Sequence, residues 1–267
     1  MPEILQYGFM QRALVAGIVV ALICPSIGIF LTLRRLSMIG DTLSHVALAG
    51  VAGGILLNFY PIYMALLFTL LASFGIELLR REFHQYAEIS LAVVLSSGIG
   101  LATILISMGG AGAQVFSYLF GSVTLVSSQD MLSIILLGSV ILATIAFYYR
   151  QLFYMAFDET AARLAGVPVK RINLIFTILV AITISISMRI VGILMVSSLM
   201  VIPVASSLQL KKSFLVTFIA SLGFGLLSVI VGLIISFYAS LAPGGTIVMT
   251  SVAILAVVAA VKKLLTG

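Results

Sequence analysis

The chain has 267 residues, of which 62% are hydrophobic and only 8% charged, with a mean hydropathy of +1.31. A water-soluble domain carries roughly 25% charged residues, so a soluble globular fold is excluded. The net charge of +6 does not point to nucleic acid. The basic residues sit in small clusters at the ends of apolar runs, as in a membrane protein with a positive inner face.

Apolar stretches able to cross a roughly 30 Å hydrocarbon core fall at about 13–33, 38–57, 61–79, 89–108, 131–149, 172–188, 190–208, 214–238 and 245–261. They predict an all-α, polytopic transmembrane helical bundle of eight or nine spans, forming one transmembrane domain over 1–267. The first run ends in Arg34-Arg35 rather than at a small-residue cleavage site, so it reads as a retained span and not a signal peptide. Arg34-Arg35, Arg80-Arg81, Arg150 with Arg163, Lys170 and Arg171, Lys211-Lys212, and Lys262-Lys263 all lie on one side if the span count is odd. That places the N-terminus outside and the C-terminus in the cytoplasm of a multi-pass cell-membrane protein. Segment 111–127 is apolar but rich in Gly and Ser. A full crossing there would invert the loop at 150–171, so it is expected to be re-entrant or interfacial. Arg189 then falls on the outer side, at a tight hairpin.

Pro25 and Pro203 lie inside spans and are expected to kink them. Gly50 and Gly54 make a small-xxx-small step in the second span, a surface that lets another helix approach closely, whether within one subunit or across a dimer. Cys24 stands alone and allows no intrachain disulfide, and the eleven methionines are scattered through the spans as packing residues.

The chain's eight acidic residues and two histidines can be taken one by one. Glu3 is terminal. Glu77, Glu82, Glu88, Asp158 and Glu159 fall in or near cytoplasmic loops, Asp130 caps a span, and His84 sits in a basic loop. Asp41 and His45 remain, four residues apart and on one helix face. At 1.5 Å per residue, His45 lies about 12 Å into the second span. An intramembrane carboxylate costs a few kcal/mol unless it faces a polar cavity or a partner. No cation in the same span is placed to pair with Asp41. A metal ion would supply the missing charge, because carboxylate oxygen and imidazole nitrogen together suit zinc, manganese and iron. A proton relay or a structural hydrogen bond fits the same spacing.

Asp158 to Pro168 is polar and is expected to form a short amphipathic helix. Glu159 and Arg163 are set for an i,i+4 pair, Ala161 and Leu164 share a side, and Gly166 with Pro168 ends the helix. A G-x-x-x-x-G-K-[ST] phosphate loop is absent, as are H-E-x-x-H and G-x-S-x-G.

The run Gly40-Asp41-Thr42-Leu43-Ser44-His45 resembles the D-x-L-S-H signature of the metal-specific ABC permease family. Residues Glu159, Ala161, Ala162 and Gly166 are similar to the coupling loop of binding-protein-dependent importers, with Thr160 where Ala is usual. Val191 to Leu194, Ile202 to Ala205 and Pro243 to Thr246 also look like family blocks.

The resemblance implies an ABC importer permease with no enzymatic reaction and no intrinsic cofactor. Asp41 and His45 would be transit ligands for Zn2+ first and Mn2+ second. Glu159, Ala161, Ala162 and Gly166 would contact the ATPase. The implied partners are a second permease copy, two cytoplasmic ATPase subunits, and an extracellular or periplasmic metal-binding protein. A proton-coupled secondary metal transporter is the alternative.

Overall fold

A computed structural model describes residues 7–82, 87–109 and 112–266; Glu3 and His84 lie outside them. The described backbone forms eleven helices. They are α1 (Gly8–Leu33), α2 (Met38–Leu56), α3 (Pro61–Glu82), α4 (Ala87–Gly109), α5 (Gly112–Phe120), α6 (Ser128–Phe157), α7 (Glu159–Leu164), α8 (Val169–Val191), α9 (Ile193–Leu208), α10 (Phe214–Ala239) and α11 (Pro243–Thr266). Helices satisfy every backbone polar group internally, which lipid demands.

Eight of these helices are long and apolar enough to cross a membrane, and α9 is a shorter apolar helix of 16 residues. Together they match the nine predicted spans. The nine residues of α5 reach only about 14 Å at 1.5 Å per residue, too short for this helix to cross a membrane.

Burial sorts the helices into two classes. In α1, α2 and α8, 72% of the most apolar window is buried, against 22–33% in α3, α4, α6, α10 and α11. The second class shows apolar stripes to the outside, such as Leu67, Leu71, Phe74 and Leu78 at i, i+4, i+7 and i+11 of α3. Such stripes suit lipid. The inner helices carry the core: α2 packs on α3, α4 and α9, and α1 on α6, α9 and α10.

Glycines set the close approaches. A Cβ at Gly50 would lie 2.5 Å from Ala65 Cα, and one at Gly54 2.9 Å from Pro61 Cα. This small-residue surface is therefore occupied by α3 of the same chain. Both prolines lie inside uninterrupted helices. At Pro25 the missing N–H leaves the Ala21 carbonyl without its usual partner. Gly225 of α10 comes against that spot, where a Cβ would stand 2.7 Å from Pro25 Cγ.

The sixth helix overruns its expected end. The sequence places the loop from about 150, yet α6 continues to Phe157 and includes Arg150. Its 30 residues span about 45 Å. Leu152 and Met155 are buried, and Tyr149, Phe153 and Phe157 ring-pack with Phe214 at centroid distances of 4.9–6.2 Å. Aromatic rings gather at membrane–water boundaries, and here they hold the extra turns in helix. The loop is shortened to 158–168.

Candidate functional site

Asp41 lies in the first turn of α2, where the helix dipole favours a carboxylate. His45 follows one turn on. Thr42, Leu43 and Ser44 between them are buried, whereas Asp41 and His45 are half-buried. Over the first three turns of α2 the uncovered positions run Met38, Asp41, His45, Leu48, the 3.6-residue spacing of a single helix face. A helix enclosed by α3, α4, α8 and α9 therefore has one incompletely covered stripe, and the Asp–His pair lies on it.

The neighbouring α9 is built alike. It meets α2 where Ser197 and Met200 stand 3.7 and 3.8 Å from a Cβ position at Gly40. Its own incompletely covered positions include Leu194, Ser198, Val201, Ala205 and Leu208, again one face. Among the described residues, no three His, Cys, Asp or Glu side chains converge to hold a metal ion. The pair alone offers two ligand groups per chain.

At the end of the bundle that carries Arg34, α7 forms the short helix expected from its sequence. Asp158 adopts extended backbone and caps it, accepting from Thr160 N at 2.8 Å and Ala161 N at 2.9 Å. Glu159 and Arg163 pair at 3.7 Å. Gly166, at φ +83°, ends the helix, with Val167 N donating to Ala162 O and Gly166 N to Arg163 O. Ala162 is buried and seats the helix, while Thr160 and Leu164 face out, Leu164 at 85% exposure, and Ala161 is exposed beside them. Thr160 has room, so its departure from Ala costs no packing.

Two features escaped sequence reasoning. Arg34 is only 4% exposed at its side chain and is held by Glu159 and Asn173. At the opposite end, buried Asp130 completes a capping box with Ser127 and also pairs with Arg189 at 3.4 Å. Tyr60 donates to the same carboxylate, and Arg189 donates to Leu125 O at 2.9 Å while lying 4.6 Å over the Tyr118 ring. Burial first, and the Asp130 carboxylate second, push the Tyr60 hydroxyl up to about 12. The sequence signals were that Asp130 caps the start of one span and that Arg189, at the end of another, falls on the same side of the membrane.

Beside this cluster, α5 ends against the α8–α9 turn. Gly192 sits at φ +88°, ψ 145° and Gly121 at φ +77°, conformations L side chains rarely adopt. A Cβ at Gly192 would overlap Leu119 O, and one at Gly244 would overlap Val191 O. The Val191–Leu194 and Pro243–Thr246 blocks thus meet in space.

Known proteins resemble this chain in sequence and in fold. The sequence pattern of the ABC 3 transport family matches residues 6–262. A probable metal transport system membrane protein of Treponema pallidum (strain Nichols) is 41% identical over 259 residues, covering 97% of each chain. The manganese import system permease protein ScaB of Streptococcus parasanguinis is 30% identical, covering 92% of this chain and 88% of its own. Among solved structures, PsaBC from Streptococcus pneumoniae in complex with Fab matches at a TM-score of 0.84 and 27% identity, covering 96% of this chain and 92% of that one.

Proposed function

The chain belongs to the ABC 3 transport family and is a multi-pass metal ABC transporter permease; from that premise we propose that two copies form the path by which a divalent transition metal ion enters the cytoplasm. The observation that carries this reading is the placement of Asp41 and His45 on the one incompletely covered stripe of an otherwise enclosed helix. A second copy laid against the α2 and α9 stripes would bring two carboxylates and two imidazoles to one axis. Four such donors suit a first-row divalent ion. The ion in turn supplies the charge that makes an intramembrane carboxylate tolerable.

The ion is passing substrate, not a resident cofactor. Manganese is preferred and zinc second, a reversal of the sequence ranking, because the relative ScaB is named for manganese import. The basic end carries α7 and is the cytoplasmic side, which sets the N-terminus outside and the C-terminus inside. Two separate ATPase subunits dock on α7 through Ala161 and Leu164, with Glu159, Ala162 and Gly166 shaping that helix. A binding protein delivers the ion from the other side.

The reading is tested in proteoliposomes holding this chain with its ATPase and binding protein. ATP-dependent accumulation of manganese supports it. Accumulation by this chain alone, driven by a proton gradient, would instead make it a secondary transporter.

A further inference from the structure

Arg34 and Arg35 are adjacent in sequence but differ in surroundings. Arg35 is exposed, in left-handed backbone at φ +56°. The Arg34 guanidinium is almost fully enclosed: Nη2 donates to Glu159 Oε2 at 3.1 Å and to Asn173 Oδ1 at 2.6 Å, with Cζ 5.9 Å from the Phe176 ring centre. A buried cation is tolerated only when paired and hydrogen-bonded. Here its partners come from two places: Glu159 opens α7, and Asn173 lies in the second turn of α8. One side chain at the end of α1 thus joins both ends of the 158–168 loop.

The link from Arg34 to α2 is short and stiff. Only residues 34–37 separate α1 from α2. Backbone bonds run through them without a break: Leu36 N donates to Leu31 O at 2.8 Å, Ile39 N to Leu36 O at 3.0 Å, and Gly40 N to Ser37 O at 3.1 Å. Asp41 is the next residue. A displacement of Glu159 therefore has a continuous hydrogen-bonded route to the first turn of α2, through a planar guanidinium pre-organised for its hydrogen bonds.

Building on the permease reading, we propose that Arg34 is a positioning residue that makes movement of α7 move the Asp41-bearing end of α2. It touches neither the metal nor the ATPase. It sets how many ions cross for each ATP consumed elsewhere.

The test uses the full transporter in proteoliposomes, with Mn2+ as the probe, and reads ATP hydrolysed per ion accumulated. Arg34→Gln is expected to raise that ratio at least about fivefold, the lower end of ordinary site-to-site coupling. Glu159→Gln raises it in the same direction. The double variant is no worse than the larger single, since both remove one link. Arg34→Lys falls between parent and Arg34→Gln. Ratios that stay within about twofold of the parent, with hydrolysis and uptake falling together, would show a merely structural role and overturn the proposal; so would a double variant whose effect is the product of the singles. If Arg34→Gln fails to insert, Glu159→Gln, whose side chain is 39% exposed, decides by the same criterion when read beside Arg163→Gln, which removes only the Glu159–Arg163 pair. A raised ratio in Glu159→Gln with a parental ratio in Arg163→Gln supports the proposal, and equal ratios in the two overturn it. ATP-independent uptake in the unsubstituted complex would overturn both this proposal and the permease reading.

Discussion

The Asp130 carboxylate, fully buried, lies 3.4 Å from Arg189 Nε, and the two residues belong to different helices, α6 and α8. The pair fastens the start of α6 to the end of α8. Tyr60 and the Ser127 cap take up the rest of the carboxylate, and Leu125 O accepts from the guanidinium. Each charge so has partners in place of water. Removing one partner of a buried ion pair costs about 3–5 kcal/mol, because the other charge is stranded. Arg189→Met is therefore expected to lower the melting temperature of the detergent-solubilised protein far more than Arg35→Met, whose side chain is exposed. Equal melting temperatures for the two variants would show that the pair holds nothing together.

Tyr60 supplies a sign-specific pH prediction. Its hydroxyl is raised from 10 to about 12, so the folded state holds the proton more tightly than the unfolded state. The resulting stability is fully present below pH 10 and is lost only as pH rises through about 12. Tyr60→Phe should thus destabilise equally at about pH 6 and about pH 8, both below that window. A destabilisation that differs between those two values would contradict the protonated-donor role.

The backbone at Gly192 leaves no room for a side chain. A strained residue of this kind costs about 1–3 kcal/mol, and overlap with the Leu119 carbonyl adds to it. Gly192→Ala is expected to destabilise at the top of that range or prevent insertion, whereas Gly75→Ala, inside α3 with open space around it, should hold or raise the melting temperature in a thermal-shift assay.

On the basic end, Leu164 presents a large apolar side chain at 85% exposure. Leu164→Glu should leave the permease inserted and folded while weakening co-purification of the ATPase. Ala162→Glu, at a buried seat, should damage folding as well. The two variants separate loss of docking from loss of structure.

Much of this architecture was legible from periodicity. Nine apolar runs and the Asp158–Pro168 helix follow from hydrophobic length and local capping chemistry, which act over a few residues, and the non-crossing reading of 111–127 follows from the charge pattern of the loops. Asp41 and His45 stood out in the sequence because a carboxylate is costly in lipid and their spacing is local; the structure puts them on one half-covered face of α2. Arg34 was not. It read as one of a loop pair, and its partners lie 125 and 139 residues away, beyond any local rule. Asp130 was legible as a cap, but its pairing with Arg189 escaped for the same reason. The overrun of α6 was hidden because Arg150 resembles a span end, while the aromatic packing with Phe214 that sustains the helix is tertiary. Gly50 and Gly54 were ambiguous until α3 was seen to fill their surface.

If the Asp41–His45 stripe is the ion's route, uptake of Mn2+ by the reconstituted complex must depend on both side chains. Asp41→Asn and His45→Ala preserve the helix and remove a ligand charge or nitrogen. Even outer-shell changes at metal sites cost about 10–100-fold, so uptake should fall at least about tenfold in each variant, with insertion and ATPase association intact. Uptake at the parent rate in Asp41→Asn would rule the stripe out as the route.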